Sequence, residues 1–279
     1  MNHHKKIQKI INSHSGNPVL VHSDLFAARS FLKEPIHLSR ESFLLEHLNI
    51  LKSIIDEKNI QIPCFNYNFP KTLVYNAQKA ESQIGPFPEY LRLNWANSQS
   101  LDPVFSFLSL SPIKILEPIQ NKMTAFSEQS AFHSLVSENG SILFYGAPIS
   151  STTFIHYAEF KSGNPLYRYD KKFVGKLILE NHEIEPFEYT YPVRPFDKYL
   201  DYDWSKIETD LVTENILNPI YANNQMIMGY LDVKFLLEFW QTQIQKDPFY
   251  LLDQKSKDWV IPMVEKLGRR FELEDFELN

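Results

Sequence analysis

The residues best suited to chemistry lie in segment 152–170, which reads TTFIHYAEFKSGNPLYRYD. The apolar run 142–145 precedes it and Gly146 closes that run, a pattern that predicts a buried strand ending in a loop. A short helix after the loop would place His156 and Glu159, three residues apart, on one face. An imidazole beside a carboxylate near a strand end is typical of α/β active sites. The same spacing also fits a structural histidine beside a solvated carboxylate.

Further groups of polar residues occur where predicted strands and helices begin or end. They are His22-Ser23-Asp24-Leu25, Cys64 with Asn66 and Tyr67, Ser82 with Gly85, Ser100 with Asp102, and Tyr167-Arg168-Tyr169. Hydroxyls and backbone amides at such positions can bind a ligand, and a guanidinium between two phenols suits a phosphate or a sugar. A helix cap, a turn or a strand edge explains each group equally well when it is taken alone.

Composition limits the class of protein. The chain has 279 residues, of which 43% are hydrophobic, enough for the core of one large α/β domain. Its 28 basic and 34 acidic side chains give a net charge of −6, with no dense basic tract. This balance argues against nucleic acid or an anionic membrane surface as the main partner, because both require clustered Lys and Arg.

Cysteine content and hydropathy narrow the class further. The single cysteine, Cys64, excludes an internal disulfide and a cysteine-based zinc site, and it is more often a buried hydrophobe than a nucleophile. No apolar run approaches the roughly 18 residues that a membrane helix needs. Residues 1–14 lack the apolar stretch of a signal peptide, so we expect a cytoplasmic protein.

Hydrophobic periodicity predicts the elements that must position these residues. Helices are predicted at 1–14, 39–58, 86–93 and 130–139, with Gly140 ending the last, and near 201–213, 231–246 and 253–267. Strands are predicted at 18–21, 59–65, 104–110 and 142–145, with an antiparallel pair at 172–180 and 184–193.

The connecting segments carry predictions of their own. Segment 70–85 is predicted to be an irregular binding loop, and the acidic tail 268–279 is predicted to be frayed. Thr152 or Thr153 is expected to cap the helix that carries His156. The economical fold is a single α/β domain over residues 1–279, with a mixed β-sheet flanked by helices and a small antiparallel β portion.

Taken in order, several segments resemble the antibiotic N-acetyltransferase family, which is typified by aminoglycoside 3-N-acetyltransferases and includes relatives that acylate amino sugars. These segments are VLVHSDL, PCFNYNF, SQIGPFPEYLR, SLDPVFSF, AFSEQSAFHSLVSENGSILFYG, TTFIHYAEF and PLYRYDKKFVG. The resemblance covers roughly residues 16–180. It implies an α/β/α fold, coenzyme A or acyl-CoA as co-substrate, no metal, and an amino sugar as the second small-molecule substrate.

The resemblance also implies roles for individual residues. The family's threonine followed by HxxE matches His156 as general base and Glu159 as its orienter or as an acceptor for the substrate amine. The residues expected to bind the cofactor are His22, Ser23, Asp24, Leu25, Ser82, Gly85 and Ser100. The residues expected to bind the acceptor are Asn66, Tyr67, Asp102, Tyr157 and Arg168.

Acyl transfer to an amine fits these roles chemically. An amine attacks a thioester only after it loses a proton, and a histidine with a pKa of about 6.5 can accept that proton at cytoplasmic pH. A neighbouring carboxylate stabilises the imidazolium, and amides at a strand-to-helix junction could stabilise the oxyanion. We therefore expect direct attack in a ternary complex. An acyl-enzyme on Cys64 is not expected, because family members commonly carry threonine at that position.

Departures from the antibiotic-resistance pattern bear on the acceptor. Segment 99–103, QSLDP, stands where those enzymes read R-S-x-H-P, and segment 22–25, HSDL, stands where they have HSSL. The modest acidic excess and the loops rich in Asn, Gln, Tyr and Phe suit a sugar with a stacked base better than a polycation. A nucleotide-linked amino deoxysugar is the predicted acceptor. An aminoglycoside, and a catalytically silent relative that binds coenzyme A and sugar, stay as alternatives, and a homodimer stays open.

Overall fold

Two β-sheets and the helices packed around them form the architecture. The computed structural model describes residues 5, 8, 16–32, 38–112, 120–178 and 183–277. The strands are β1 (Val19–Ser23), β2 (Ile60–Pro63), β3 (Val74–Asn76), β4 (Ser98–Gln99), β5 (Phe107–Ser109), β6 (Lys122–Thr124), β7 (Ser141–Tyr145), β8 (Tyr169–Ile178), β9 (Ile184–Val193), β10 (Asn218–Ala222) and β11 (Gln225–Asp232). The helices are α1 (Arg40–Ile54), α2 (Phe69–Thr72), α3 (Pro86–Asn94), α4 (Ala131–Ser137), α5 (Phe154–Lys161), α6 (Trp204–Thr213), α7 (Val233–Lys246) and α8 (Gln254–Leu267).

The larger sheet is mixed and has the strand order β10-β11-β7-β1-β2-β5-β4. Its centre is parallel, since β1 pairs with β2 and β7 in parallel, whereas the outer strands are antiparallel. Every residue of β7 is buried, which explains its continuous apolar sequence. The carboxyl ends of β1, β2 and β7 therefore meet at one edge of the sheet. The predicted mixed sheet flanked by helices is confirmed.

The smaller sheet has the order β3-β8-β9-β6. Its centre is the predicted antiparallel pair, β8 with β9, in register over ten residue pairs. Along β8, Phe173 and Leu177 are buried and the residues between them are more exposed. Phe173 and Tyr189 belong to the same hydrophobic core cluster as Leu20 and Phe107 of the larger sheet. The two sheets therefore pack through one shared core.

The predicted helix after Ser39 is confirmed, with a shorter span. The Ser39 side chain accepts from the amide of Ser42 at 3.1 Å, and α1 buries Leu48 and Leu51. The helix ends at Ile54, before the predicted end at residue 58. None of the helices in the described ranges is long and apolar enough to cross a membrane.

Several predicted boundaries are wrong. Asn139, with φ of 52°, takes the left-handed position after α4, so Gly140 does not end that helix. A Cβ at Gly140 would lie 2.9 Å from the carbonyl oxygen of Pro18, which explains the glycine by close packing instead. Segment 70–85 contains part of α2 and all of β3. Strands β10 and β11 were not predicted, and the leading helix 1–14 lies outside the described residues except at two positions.

The C-terminal tail is ordered as far as the structure describes it, contrary to the predicted fraying. Phe271 is buried, and its ring meets that of Phe276 edge-on at 5.0 Å. Glu277 accepts a hydrogen bond from the hydroxyl of Tyr169 at 2.6 Å and pairs with Lys171. The tail therefore packs over β8, because its aromatic residues bury apolar surface that the acidic composition obscured.

Candidate active site

A tight turn after β7 leads the chain into the segment that carries the histidine. Gly146 has φ of +72°, and a Cβ there would lie 2.2 Å from the carbonyl oxygen of Asp24, so the turn requires glycine. One 3-10 turn later, α5 begins. The hydroxyl of Thr152 donates to the carbonyl of Ile149 at 2.6 Å, and Thr153 makes no side-chain cap. The predicted threonine cap of α5 is therefore wrong.

His156 and Glu159 form a hydrogen-bonded pair on α5. Nδ1 of His156 lies 3.0 Å from Oε2 of Glu159. The imidazole side chain is 24% exposed and the carboxylate only 2% exposed, so the histidine faces the cleft with the carboxylate behind it. Oε1 of Glu159 accepts from the hydroxyls of Tyr167 and Tyr202, each at 2.7 Å. The carboxylate is thus held from two further directions.

Arg168 provides the counter-charge for this buried carboxylate. Its Nε lies 3.3 Å from Oε2 of Glu159, and its Nη2 donates to the hydroxyl of Tyr202 at 2.8 Å. Burial alone would raise the pKa of Glu159, but the positive charge of Arg168 and the hydrogen bond from His156 lower it to about 2. The carboxylate is therefore ionised throughout the physiological range.

The surroundings of the imidazole shift its pKa in opposite directions. Burial and the charge of Arg168 lower the pKa of His156, while the neighbouring Glu159 acts in the opposite direction, and the net shift is downward. Nδ1 faces Glu159 and the hydroxyl of Tyr202, which is 3.1 Å away. The histidine is therefore neutral near pH 7 with Nδ1 engaged, and Nε2 is the nitrogen left to act as a base.

The imidazole lies in the wall of a cleft of about 720 Å³. Twenty residues line this main cleft, and eight of them are aromatic: Tyr67, Phe105, Tyr169, Phe173, Tyr191, Phe196, Tyr202 and Trp204. The charged lining residues are Arg168, Lys171, Arg194, Asp201 and Glu277. Aromatic residues are therefore the commonest type in the walls, and carboxylates are few.

A narrower pocket of about 230 Å³ adjoins the main cleft, since Tyr67 and Thr153 line both. Its walls come from the ends of β1 and β2, including His22 and Ser23, and from Ile84 before α3. His22 is buried, and this burial lowers its pKa to about 4, so the ring is neutral. The narrow pocket thus offers a neutral, mostly apolar channel that opens beside the start of α5.

Five of the predicted cofactor residues lie outside both cavities. Oδ1 of Asp24 accepts from the amides of Phe26 and Ala27, which makes it a turn residue. Leu25 is buried in the core, and Ser82 and Gly85 precede α3. Ser100 is a structural residue, because its Oγ accepts a hydrogen bond from the amide of Phe107 at 2.9 Å. Of the predicted cofactor set, the structure brings His22 and Ser23 to a cavity.

Three of the predicted acceptor residues are structural. The side chain of Asn66 donates to the carbonyl of Glu81 at 2.7 Å. Oδ1 of the buried Asp102 accepts from the hydroxyl of Tyr189 at 2.8 Å and from two backbone amides. Tyr157 is buried as well, with its hydroxyl 3.1 Å from Nδ1 of His133. None of the three lines the main cleft or the narrow pocket, in contrast to the prediction.

The other two predicted acceptor residues do reach the main cleft. Tyr67 is 44% exposed and lines both cavities, whereas Arg168 lines the cleft but is already engaged with Glu159. Sequence reasoning missed Tyr202, which lies 46 positions after His156 along the chain. It follows an irregular loop, so no spacing pattern could have indicated its role.

Cys64 is unsuited to covalent catalysis in this environment. The side chain is 1% exposed, and burial raises the pKa of the thiol to about 11. A thiol with such a pKa stays protonated near pH 7 and is a poor nucleophile.

The fold and the cleft define an α/β protein with a histidine–carboxylate pair whose imidazole lines the main cleft. The chain belongs to the aminoglycoside 3-N-acetyltransferase family, whose model matches residues 49–228. It is accordingly an acyl-CoA-dependent N-acyltransferase, as the sequence resemblance implied. No curated protein sequence gives a significant match to the chain.

Solved structures agree with this fold. The binary complex of AAC-IIIb with CoASH superposes with a TM-score of 0.66 at 15% identity, covering 87% of this chain and 96% of that chain. Aminoglycoside acetyltransferase AAC(3)-Xa gives 0.63 at 14% identity, with coverage of 87% and 92%. The YokD protein from Bacillus subtilis gives 0.59 at 15% identity, with coverage of 88% and 99%.

Proposed function

We propose that this protein transfers an acetyl or other short acyl group from acyl-CoA to a primary amine of an amino sugar, with His156 as general base. The observation that carries the proposal is the His156–Glu159 pair, whose imidazole lines the aromatic cleft three residues after Thr153, a residue that lines the cleft and the narrow pocket alike. A donor in the narrow pocket and an acceptor in the cleft would therefore meet near the start of α5, as direct transfer in a ternary complex requires.

The geometry around the imidazole supports a sequence of two proton transfers. As the amine nitrogen attacks the thioester carbonyl, Nε2 of His156 takes the proton that the nitrogen loses. The imidazolium so formed lies against the ionised Glu159, which Arg168 and Tyr202 hold in place. Collapse of the tetrahedral intermediate breaks the carbon–sulfur bond, and His156 returns its proton to the departing thiolate of coenzyme A.

The narrow pocket is suited to the pantetheine arm of coenzyme A. Its lining combines apolar residues, such as Val21, Phe65 and Ile84, with the hydroxyls of Ser23 and Thr153, which matches a flexible chain bearing amides. A thioester delivered through it emerges at Thr153, where the amides that begin α5 can stabilise the oxyanion. A solved relative, AAC-IIIb, binds CoASH.

Two acceptor classes have support from different observations. The family name favours an aminoglycoside, and a mutant of AAC(3)-IVa has been solved in complex with a gentamicin and with apramycin. The lining of the main cleft favours a nucleotide-linked amino deoxysugar, because it is rich in aromatic surface. Only Asp201 and Glu277 line it as carboxylates, and Glu277 is already paired with Lys171. A polycationic antibiotic would leave several ammonium groups without partners.

Thiol release from acetyl-CoA tests the function. Release should require an added amine, and a panel of glucosamine, UDP-glucosamine and gentamicin spans the acceptor classes. Release without amine would indicate a thioesterase, and coenzyme A binding without release would indicate a catalytically silent relative. Either result contradicts the proposal.

The His156→Ala variant tests the assigned base. It should lose about 10²–10⁴-fold in kcat, because the proton acceptor is removed, while its affinity for coenzyme A is preserved. His133→Ala is the matched control, since His133 contacts Tyr157 outside both cavities. An unchanged kcat in His156→Ala would refute the assignment.

A further inference from the structure

Some of the charged residues that line the main cleft are ion-paired with other residues of the protein, and others are not. Arg168 is paired with the buried Glu159, and Lys171 is paired with Glu277. Arg194 has no carboxylate within ion-pair distance in the part of the chain that the structure describes. Its hydrogen bond to protein is a long one, 3.5 Å from Nη1 to the carbonyl oxygen of Leu200. A guanidinium thus faces the cleft with donors available for a ligand.

This arginine lines the same cleft as His156 and acts on the imidazole through its charge. Its positive charge is among the influences that lower the pKa of His156, which places it within electrostatic reach of the imidazole. Asp201, another charge of the lining, already accepts from the amide of Tyr202 at 2.7 Å. Because that hydrogen bond does not neutralise the carboxylate, Arg194 and Asp201 are the two charges of the lining without an ion-pair partner among the described residues.

An exposed aromatic ring accompanies the guanidinium. Phe196 is 88% exposed, although it lines the same cleft two residues further along the chain. Exposing a phenyl ring to water is unfavourable, and a flat partner stacked on it would recover that cost. The loop that carries it is anchored, because Tyr199 donates to Asp253 at 2.7 Å and accepts at its carbonyl from Trp259 at 2.7 Å. The ring is therefore presented by a fixed loop.

We infer that Arg194 and Phe196 form an acceptor subsite that binds a phosphate group of the amino sugar and a flat ring attached to it. The inference rests on the proposed function and specifies its substrate class, an anionic amino sugar such as a sugar phosphate or a nucleotide-linked sugar. A bidentate guanidinium–phosphate contact supplies charge-assisted hydrogen bonds, and the phenyl face supplies stacking. The same guanidinium would repel a polycationic acceptor.

Paired acceptors isolate the phosphate contribution. Glucosamine and glucosamine 6-phosphate differ by one phosphate, and wild-type kcat/KM should be higher for the phosphate. Arg194→Gln should lower kcat/KM for glucosamine 6-phosphate and UDP-glucosamine by about 10–100-fold, and by less than about threefold for glucosamine. Lys198→Gln removes an exposed cation of the same loop outside the cleft and should leave both values unchanged. Equal losses for the two sugars in Arg194→Gln would overturn the inference.

The ring contribution has its own comparison. Phe196→Ala should lower kcat/KM for UDP-glucosamine by about fivefold to fiftyfold while leaving glucosamine 6-phosphate nearly unaffected, since only the nucleotide brings a base to stack. Equal losses of kcat/KM for the two acceptors would contradict the assignment of Phe196 to the subsite.

The donor also carries phosphates, so its contribution must be separated. Kinetics with acetyl-CoA and with acetyl-pantetheine, which lacks the nucleotide, distinguish the two sources. If Arg194→Gln raises KM for acetyl-CoA alone and leaves the acceptor ratio intact, the guanidinium serves the donor and the inference fails. Calorimetric binding of UDP-glucosamine to wild type and to Arg194→Gln tests the subsite even without turnover. Absence of wild-type turnover with every amine would refute the proposed function. Equal affinities of wild type and Arg194→Gln for UDP-glucosamine would refute the subsite.

Discussion

At the scale of single residues, the catalytic assignment depends on the protonation state of His156. The carboxylate of Glu159 favours the imidazolium, whereas burial and Arg168 favour the neutral ring. Because burial and Arg168 have the larger effect, the pKa of the proposed base is lowered and the ring is neutral near pH 7. The buried carboxylate nevertheless stands ready to stabilise the positive charge when it forms. Under the proposed function, Arg168 would act on the reaction through Glu159 and His156, as a positioning residue.

The pH dependence of the reaction should show this balance. A base protonates as the pH falls through its pKa, so kcat/KM should decline on the acid side with an inflection below about 6.5. Arg168→Gln should move that inflection to higher pH, because it removes a charge that opposes protonation. Arg168→Lys, which retains the charge, should stay near wild type. An inflection that does not move in Arg168→Gln would contradict the electrostatic role.

Cys64 provides a second test at this scale. Since the thiol is buried and its pKa is raised to about 11, Cys64→Ser should retain kcat within a few fold. Initial rates with both substrates varied would check this and should give intersecting patterns. Abolished turnover with coenzyme A binding intact would instead support an acyl-enzyme.

At the scale of elements, the C-terminal tail completes one wall of the cleft. Glu277 lines the cleft and is held by Tyr169 and Lys171, two residues of β8. The tail is in turn fixed to β8 by Phe276, whose ring stacks on that of Tyr169 with 5.6 Å between the ring centroids. A segment that looked like a frayed acidic end therefore contributes to the shape and charge of the site.

Removing the anchor of the tail should weaken the fold. Phe276→Ala should lower the free energy of unfolding by about 2 kcal/mol, because a partly buried aromatic contact is lost. Phe196→Ala is the matched control, since that ring is 88% exposed and its loss should leave stability unchanged. Chemical denaturation measures both, and equal stabilities of the two variants would contradict the packing of the tail.

At the scale of the whole molecule, the two sheets share one core. Side chains from both sheets, such as Phe107 and Phe173, meet in a single cluster to which α5 also contributes. The smaller sheet lines the main cleft through Phe173 and Tyr191, and α5 lines it through His156, so the site exists only when the sheets are packed together. The shared core therefore couples the stability of the fold to the integrity of the site.

Unfolding should reflect this coupling. We expect one cooperative transition, with far-ultraviolet and near-ultraviolet circular dichroism changing together, because the smaller sheet buries Phe173, Leu177 and Tyr189 in the cluster that it shares with the larger sheet. Leu177→Ala in the smaller sheet should lower the midpoint of the unfolding transition by the same amount in both circular dichroism signals. Two separated transitions would show that the sheets fold independently and would support a division of the chain into two domains.

Local patterns determined much of what could be predicted. The continuous apolar run of β7, the alternation in β8 and β9 and the helical spacing of leucines in α1 each state which face of an element is buried. The spacing of His156 and Glu159 likewise indicated a shared helical face, since that relation involves only neighbouring residues.

Tertiary packing decided the remainder. Tyr157 follows His156 directly in sequence, yet the turn of the helix points its side chain into the core. The side chains of Asn66 and Asp102 form hydrogen bonds with backbone groups, which no sequence spacing reveals. Tyr202 joins the site from a distant loop. Short-range periodicity specifies which residues avoid water, whereas the identity of a buried group's partner depends on which distant elements pack against it.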